Sequence, residues 1–234
     1  MTRIRLALFT ALSLIFTPLA AQDFQKGLTA FKAGDSATAL QEWTPLAEAG
    51  NAAAQYNLGF MYDNGSGVLQ DHAEAVKWYR LAAEQGYTDA RFNLGVMYQR
   101  GLGVLQDYAE AVKWYRLAAE QGDPKAQYNL GFIYDNGLGV PQDYTESAKW
   151  HRLAAEQGFG DAQGNLSVMY LKGNGVLQDI VMAHMWSNLG AANGNELAKT
   201  NRDIITNIMT PADISKAQAM ARECMSSGYK KCGH

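Results

Sequence analysis

Along residues 51–194 the apolar positions fall three and four residues apart, the spacing of helices that bury one face. Ala54, Leu58, Met61 and Tyr62 make one such face. Ala75, Trp78, Ala82 and Ala83 make a second, so the stretch predicts two helices in succession. The pair then recurs. Gly86, Gly122, Gly158 and Gly194 stand 36 residues apart, each closing one copy, and the first two copies agree at 26 of 36 positions. The copies run 51–86, 87–122, 123–158 and 159–194.

Fixed positions mark the ends of the helices. Asp71, Asp107 and Asp143 stand where an N-cap is needed, with Glu74, Glu110 and Glu146 three residues on, the arrangement of a capping box. The Gly-x-Gly-Val run beginning at Gly65 predicts a tight reversal between helices, and Gly86 a left-handed cap ending the second. Gly59, Gly95 and Gly131 fall inside the first helix, where glycine costs about 1 kcal/mol against alanine. Their recurrence predicts close approach of a packed backbone; the fourth copy has Ser167 instead.

The full pattern, with its Asn-Leu pair, Tyr, Gly-x-Gly-Val, Gln-Asp and Trp, resembles the Sel1-like repeat, a relative of the tetratricopeptide repeat. The resemblance covers residues 51–194 and implies an all-α fold, a right-handed superhelical solenoid of Sel1-like helix pairs. Residues 22–50 read as a divergent first pair, with Phe24, Leu28 and Phe31 on one helix and Ala39, Leu40, Trp43 and Leu46 on the next. Residues 195–234 lack the repeat signature. Leu197, Ile204, Ile205 and Ile208 predict one helix and Thr210-Pro211 opens another, a pair suited to covering the array's apolar end. About twelve helices are expected.

Residues 1–21 read as a secretory signal: Arg3 and Arg5, a short apolar run, then small residues with cleavage after Ala21. The mature protein is expected in the periplasm or outside the cell, without stable membrane insertion. Removing that segment leaves 18 bases against 23 acids, a net charge of −5 in place of −3. Such a balance argues against nucleic acid, whose phosphates call for a basic surface. Most of the 23 glycines read as repeat punctuation.

Little of the sequence suggests catalysis, and no cofactor is implied. Cys224 and Cys232 are expected to form a disulfide, stabilising by about 2–3 kcal/mol in the loop-closure account and tying Tyr229 and Lys230 against the last helix. Met182-x-His184-Met185 offers donors that suit copper, but packing against the terminal helices explains the methionines without a metal. His72 and His151 exchange with Tyr in other copies and read as surface positions. Some exported relatives have been linked to β-lactam binding, and Ser227-x-x-Lys230 matches the Ser-x-x-Lys of serine enzymes of that class, without its partner motifs. An envelope enzyme or small-ligand protein using this loop is the alternative reading.

The resemblance places binding on the concave face, lined by the first helix of each pair. Counting from the core positions brings Tyr56, Phe60, Phe92, Val96, Tyr128 and Phe132 there, with Arg100 at the rim and an amide row of Asn57, Asn93, Asn129 and Asn165 between. Rings suit a peptide's side chains, and amides its backbone. Two readings of the asparagines stay open: peptide contact, or bonds between neighbouring helices. Lys77, Arg80 and Glu84 and their copies read as a solvated face with pairing inside the helix. The function expected is a non-catalytic scaffold of the bacterial envelope, holding a protein or extended peptide.

Overall fold

A computed structural model describes residues 23–232; the expected signal segment, 1–21, lies outside the described residues. Caps and stops divide the described chain into twelve helices with no strand. The first pair is α1 (Phe24–Lys32) and α2 (Ser36–Glu48). Four repeat pairs follow: α3 (Ala52–Asn64) with α4 (His72–Glu84), α5 (Thr88–Arg100) with α6 (Tyr108–Glu120), α7 (Pro124–Asn136) with α8 (Tyr144–Ala155), and α9 (Gly160–Lys172) with α10 (Ile180–Ala192). The chain ends in α11 (Glu196–Thr206) and α12 (Pro211–Ser226). Each helix packs on its neighbour in sequence up to α11, giving the all-α, right-handed superhelical solenoid.

The loop within each repeat is closed by the fixed residues. Asp71, Asp107, Asp143 and Asp179 accept backbone N–H groups at the starts of α4, α6, α8 and α10. The capping box forms only by half. Each Asp main-chain N–H donates instead to the carbonyl of Tyr62, Tyr98, Tyr134 or Tyr170. Glu74, Glu110 and Glu146 pair with the lysine three residues on. The Gln of the Gln-Asp pair donates its amide back to the end of the first helix, as from Gln70 to the Asp63 carbonyl at 2.7 Å. At the far end of α4, Gly86 (φ 92°) donates to the Ala83 carbonyl and Tyr87 to that of Ala82, the double closure that a left-handed residue permits.

What meets the glycine inside each first helix is a ring, not the backbone that was expected. A Cβ on Gly59 would lie 2.6 Å from Tyr79, one on Gly95 2.7 Å from Tyr115, and one on Gly131 2.7 Å from His151. The first pair has the same contact, Gly27 against Trp43 at 2.5 Å. In the fourth repeat no ring is present: Ser167 donates to the Ala183 carbonyl and lies 2.5 Å from the Ser187 hydroxyl. The buried row of α4 and α6 is accordingly set by Tyr79 and Tyr115, both fully buried, while Trp78 and Trp114 are half-buried against the adjoining cores. His151 is a core residue, 1% exposed, and not a surface position.

Polar side chains stitch one unit to the next. Gln55, Gln127 and Gln163 are buried and donate to the carbonyls of Ala47, Ala119 and Ala155. Arg91 does the same to Ala83. Arg80, Arg116 and Arg152 reach across to the hydroxyls of Tyr98, Tyr134 and Tyr170, so they are struts between repeats instead of members of a solvated intrahelical network.

The terminal helices separate. α11 packs on α9 and α10, while α12 turns back onto α10. Leu197 and Ile204 of α11, and Ile208 just after it, stay exposed. Cys224 and Cys232 form the expected disulfide, both buried. It closes the turn after α12, where the Tyr229 N–H donates to the Cys224 carbonyl at 2.8 Å, while the Tyr229 ring lies over Gly158 and its hydroxyl bonds with Asn193.

The ring contact predicts an inverted helix-propensity effect. Gly95→Ala should lower stability by about 1–2 kcal/mol, because a strained contact with Tyr115 outweighs alanine's helical preference. Urea unfolding of the variant reads this, and a gain in stability would refute the contact.

Candidate functional site: the face of the first helices

Every sequence-predicted binding residue lies on α3, α5, α7 or α9, but the structure brings only some of them together. Phe92, Val96, Arg100, Tyr128 and Asn129 line one cleft of about 320 Å3 between α5 and α7. Asn165 lines a second, of about 350 Å3, beside Asp135, His151 and Lys172. Tyr56, Asn57, Phe60, Asn93 and Phe132 line neither cleft. Phe60 and Phe132 stand 37% and 39% exposed on the same face, and Phe60 meets Phe31 edge-on.

The rings are half-buried because each leans on the next. Tyr56 packs against Tyr79 and, at 5.0 Å between centroids, against Tyr87. Tyr128 packs against His151 and, at 5.3 Å, against Phe159. Tyr87 and Phe159 occupy helix N-cap positions, where their side chains make no cap bond. The polar residues at the matching place, Asn51 and Asp123, do cap α3 and α7. Stacking has replaced capping in alternate repeats.

Three of the four amides of the row sit beside tyrosine hydroxyls. Asn93 interacts with the hydroxyls of Tyr56 and Tyr79, and Asn129 with that of Tyr115. Asn165 interacts with Tyr128 and lies 3.4 Å from the Nε2 of His151. Burial raises the Tyr56 hydroxyl to about 12 and pushes Tyr79 and Tyr115 up further, so all three remain protonated donors. Lining residues of the first cleft that the sequence did not single out include Lys125 and Phe159. Lys125 sits over the Phe92 ring, 5.9 Å from its centroid. Its position in the copy, which varies among Ala, Asp and Lys, gave only a weak signal. Phe159 was hidden at an N-cap, where an aromatic has no expected role.

The second cleft arises from one residue. Tyr79 donates to Asp63 at 3.4 Å and Tyr115 to Gln99 at 2.6 Å. His151 stands at the equivalent place without a hydroxyl, and the space beside Asp135 is the cleft. Burial lowers the His151 imidazole to about 4, leaving it neutral near pH 7. Burial also raises the Asp135 carboxyl, with Lys172 opposing.

The remaining candidates are occupied structurally. Ser227 donates to the Cys224 carbonyl at 2.8 Å and accepts the Lys231 N–H at 3.0 Å, so its hydroxyl belongs to the turn after α12. His184 has Thr206 at one ring nitrogen and Asn188 at the other, with Met182 and Met185 in the core. Among the described residues no cluster of three or more His, Cys, Asp or Glu could hold a metal. None of their helices is long and apolar enough to cross a membrane.

A sequence profile described as Sel1 repeat matches residues 52–87, 88–123, 124–159 and 160–195. Among solved structures, a protective antigen of uropathogenic Escherichia coli displaying an SLR fold is similar, with a TM-score of 0.78 and 35% identity over 88% of this chain. The match covers 45% of that antigen, so the chain spans less than half its length. A Sel1 repeat protein from Oxalobacter formigenes has a TM-score of 0.75 and 34% identity, over 89% of this chain and 84% of that one. No curated protein matches the chain.

His151→Tyr tests the origin of the second cleft. Unfolded, the imidazole takes a proton below about 6.5, whereas folded it does so only below about 4, so its burial costs stability as pH falls between those values. The total is about 3 kcal/mol from the linkage relation. The tyrosine variant should be more stable near neutrality and lose less stability on acidification. Urea unfolding of both proteins at about pH 7 and about pH 4.5 checks this; equal acid sensitivity would refute it.

Proposed function

The chain belongs to the Sel1 repeat family, and on that premise we propose that it is a non-catalytic scaffold of the bacterial envelope, holding a protein or extended peptide segment along its concave face. Sel1 repeat proteins act generally as interaction scaffolds. The observation that carries the finer reading is the cleft between α5 and α7, where Phe92, Val96 and Tyr128 offer apolar walls beside Asn129. Rings already stacked on the core take up a partner's side chains with little further loss of conformational freedom. An asparagine has two N–H donors and a carbonyl. Engagement with a tyrosine hydroxyl therefore leaves capacity for a peptide's backbone, and the two readings of the amide row are compatible. Placement in the envelope rests on the expected signal segment, and a buried disulfide suits an oxidising compartment.

The test begins with a protein retained from an envelope extract on the immobilised chain and identified by mass spectrometry. Its binding to Phe92→Ala/Asn93→Ala should fall about tenfold or more, as expected when a ring lining the cleft and its neighbour on the same face are both truncated. The helical circular dichroism should be kept. A modest loss of thermal stability is expected, because Phe92 packs on Tyr115 and Asn93 faces Tyr56 and Tyr79. Undiminished binding by the folded double variant would overturn the assignment of this face.

A further inference from the structure

The cleft between α5 and α7 has a charge as well as a shape. Its lining includes two cations, Arg100 and Lys125, and no carboxylate. Neither cation has an ion-pair partner among the described residues, although several surface lysines of the second helices do. The acids at the starts of α7 and α9 do not line the cleft and are hydrogen-bonded to neutral groups, with Asp161 close enough for its charge to act on Tyr128. Asp123 accepts the Ala126 N–H at 2.6 Å as the cap of α7, and Asp161 accepts from Asn195 at 2.6 Å. Arg100 closes the cleft from the C-terminal end of α5, and Lys125 enters from the first turn of α7 with its ammonium over the Phe92 ring. The two charges thus flank an aromatic floor from opposite ends of neighbouring helices.

We propose that this cleft selects a partner segment in which an aspartate or glutamate side chain lies next to an aromatic or branched apolar residue. The proposal rests on the groove reading above and adds the chemistry of the occupant. The apolar side chain fits against Phe92, Tyr128 and Phe159. The carboxylate meets Arg100, whose planar guanidinium can donate two parallel hydrogen bonds, while Lys125 adds positive charge at the other end of the cleft. Partial removal from water strengthens both interactions relative to an exposed pair. Basic segments are disfavoured in the same cleft, because they would bring like charges together.

The probe is a displayed library of random peptides, fused at their C-termini so that only side chains supply carboxylates, selected on the immobilised chain. Enriched sequences should carry Asp or Glu beside Phe, Tyr, Leu or Ile. One synthesised binder, followed by fluorescence anisotropy, should lose about tenfold or more in affinity to Arg100→Glu/Lys125→Glu. It should bind Lys77→Glu/Lys113→Glu, on the second helices, as it binds the parent. Replacing the peptide's acid by lysine should restore binding to the Arg100→Glu/Lys125→Glu variant, which also shows that this variant is folded. Enrichment of neutral or basic peptides that still depend on Phe92 and Asn93 would overturn this proposal and leave the groove reading intact. Enriched peptides indifferent to all four residues, or no enrichment at all, would overturn both.

Discussion

The distance between the two helices of each unit is set by a missing side chain. A glycine in the first helix leaves a gap one carbon deep, and a ring from the second helix fills it: Gly27 with Trp43, Gly59 with Tyr79, Gly95 with Tyr115, Gly131 with His151. The glycine's cost in helical preference, about 1 kcal/mol, is offset by burying most of an aromatic side chain, a larger gain. The exception follows the same rule. Where the second helix supplies Ser187, the first can carry Ser167, and two hydroxyls bond in the place of a ring against a glycine. Everything outward of this contact depends on it. The ring's polar end fixes what the next repeat's asparagine meets, and whether the residue at the end of the first helix has a hydroxyl partner.

Periodicity made the helices, their order and the repeat boundaries readable, because a 3.6-residue pattern and glycine stops are local signals. It was less able to choose among neighbouring apolar positions. Trp78 and Tyr79 are adjacent, both aromatic and both recurrent, and the helical wheel separates them by only one step. The choice was made by the glycine on the facing helix, a tertiary fact. The same limit explains His151. Its exchange with tyrosine looks like surface tolerance in one dimension, yet the position is in the core, where a smaller ring leaves a cleft. Arg80 was misread for a related reason: a charge on a helix face has local partners in sequence, while its actual partner, the Tyr98 hydroxyl, is in the next repeat.

On the face of the first helices, residues that serve assembly also shape the surface. Tyr87 and Phe159 forgo a cap bond, a loss of about 1 kcal/mol each. Each instead stacks on the tyrosine of the previous repeat, an interaction worth about 0.5–1.5 kcal/mol beyond the area it buries. Stability is thus nearly unchanged, while the surface gains aromatic area wherever the exchange occurs. The cleft between α5 and α7 has Phe159 at one side for this reason, and the sequence concealed it under the rule that caps are polar.

Net charge is a poor guide to such a surface. The chain is acidic, with a net charge of −3, but beyond about 8–10 Å exposed charges are screened at physiological ionic strength, so a bound segment would respond to the few charges beside it. At the third position of successive copies the residues are Ala53, Asp89, Lys125 and Asp161, and at the fourteenth Asn64, Arg100, Asn136 and Lys172. Neighbouring repeats therefore differ in sign or in charge, although their cores are nearly identical. In a solenoid each core contact constrains only adjacent repeats. The outward positions are consequently free to vary repeat by repeat, without disturbing the ring against glycine that sets the spacing. In the proposed groove, selectivity comes from the order of those differences, which a protein-wide sum of charges erases.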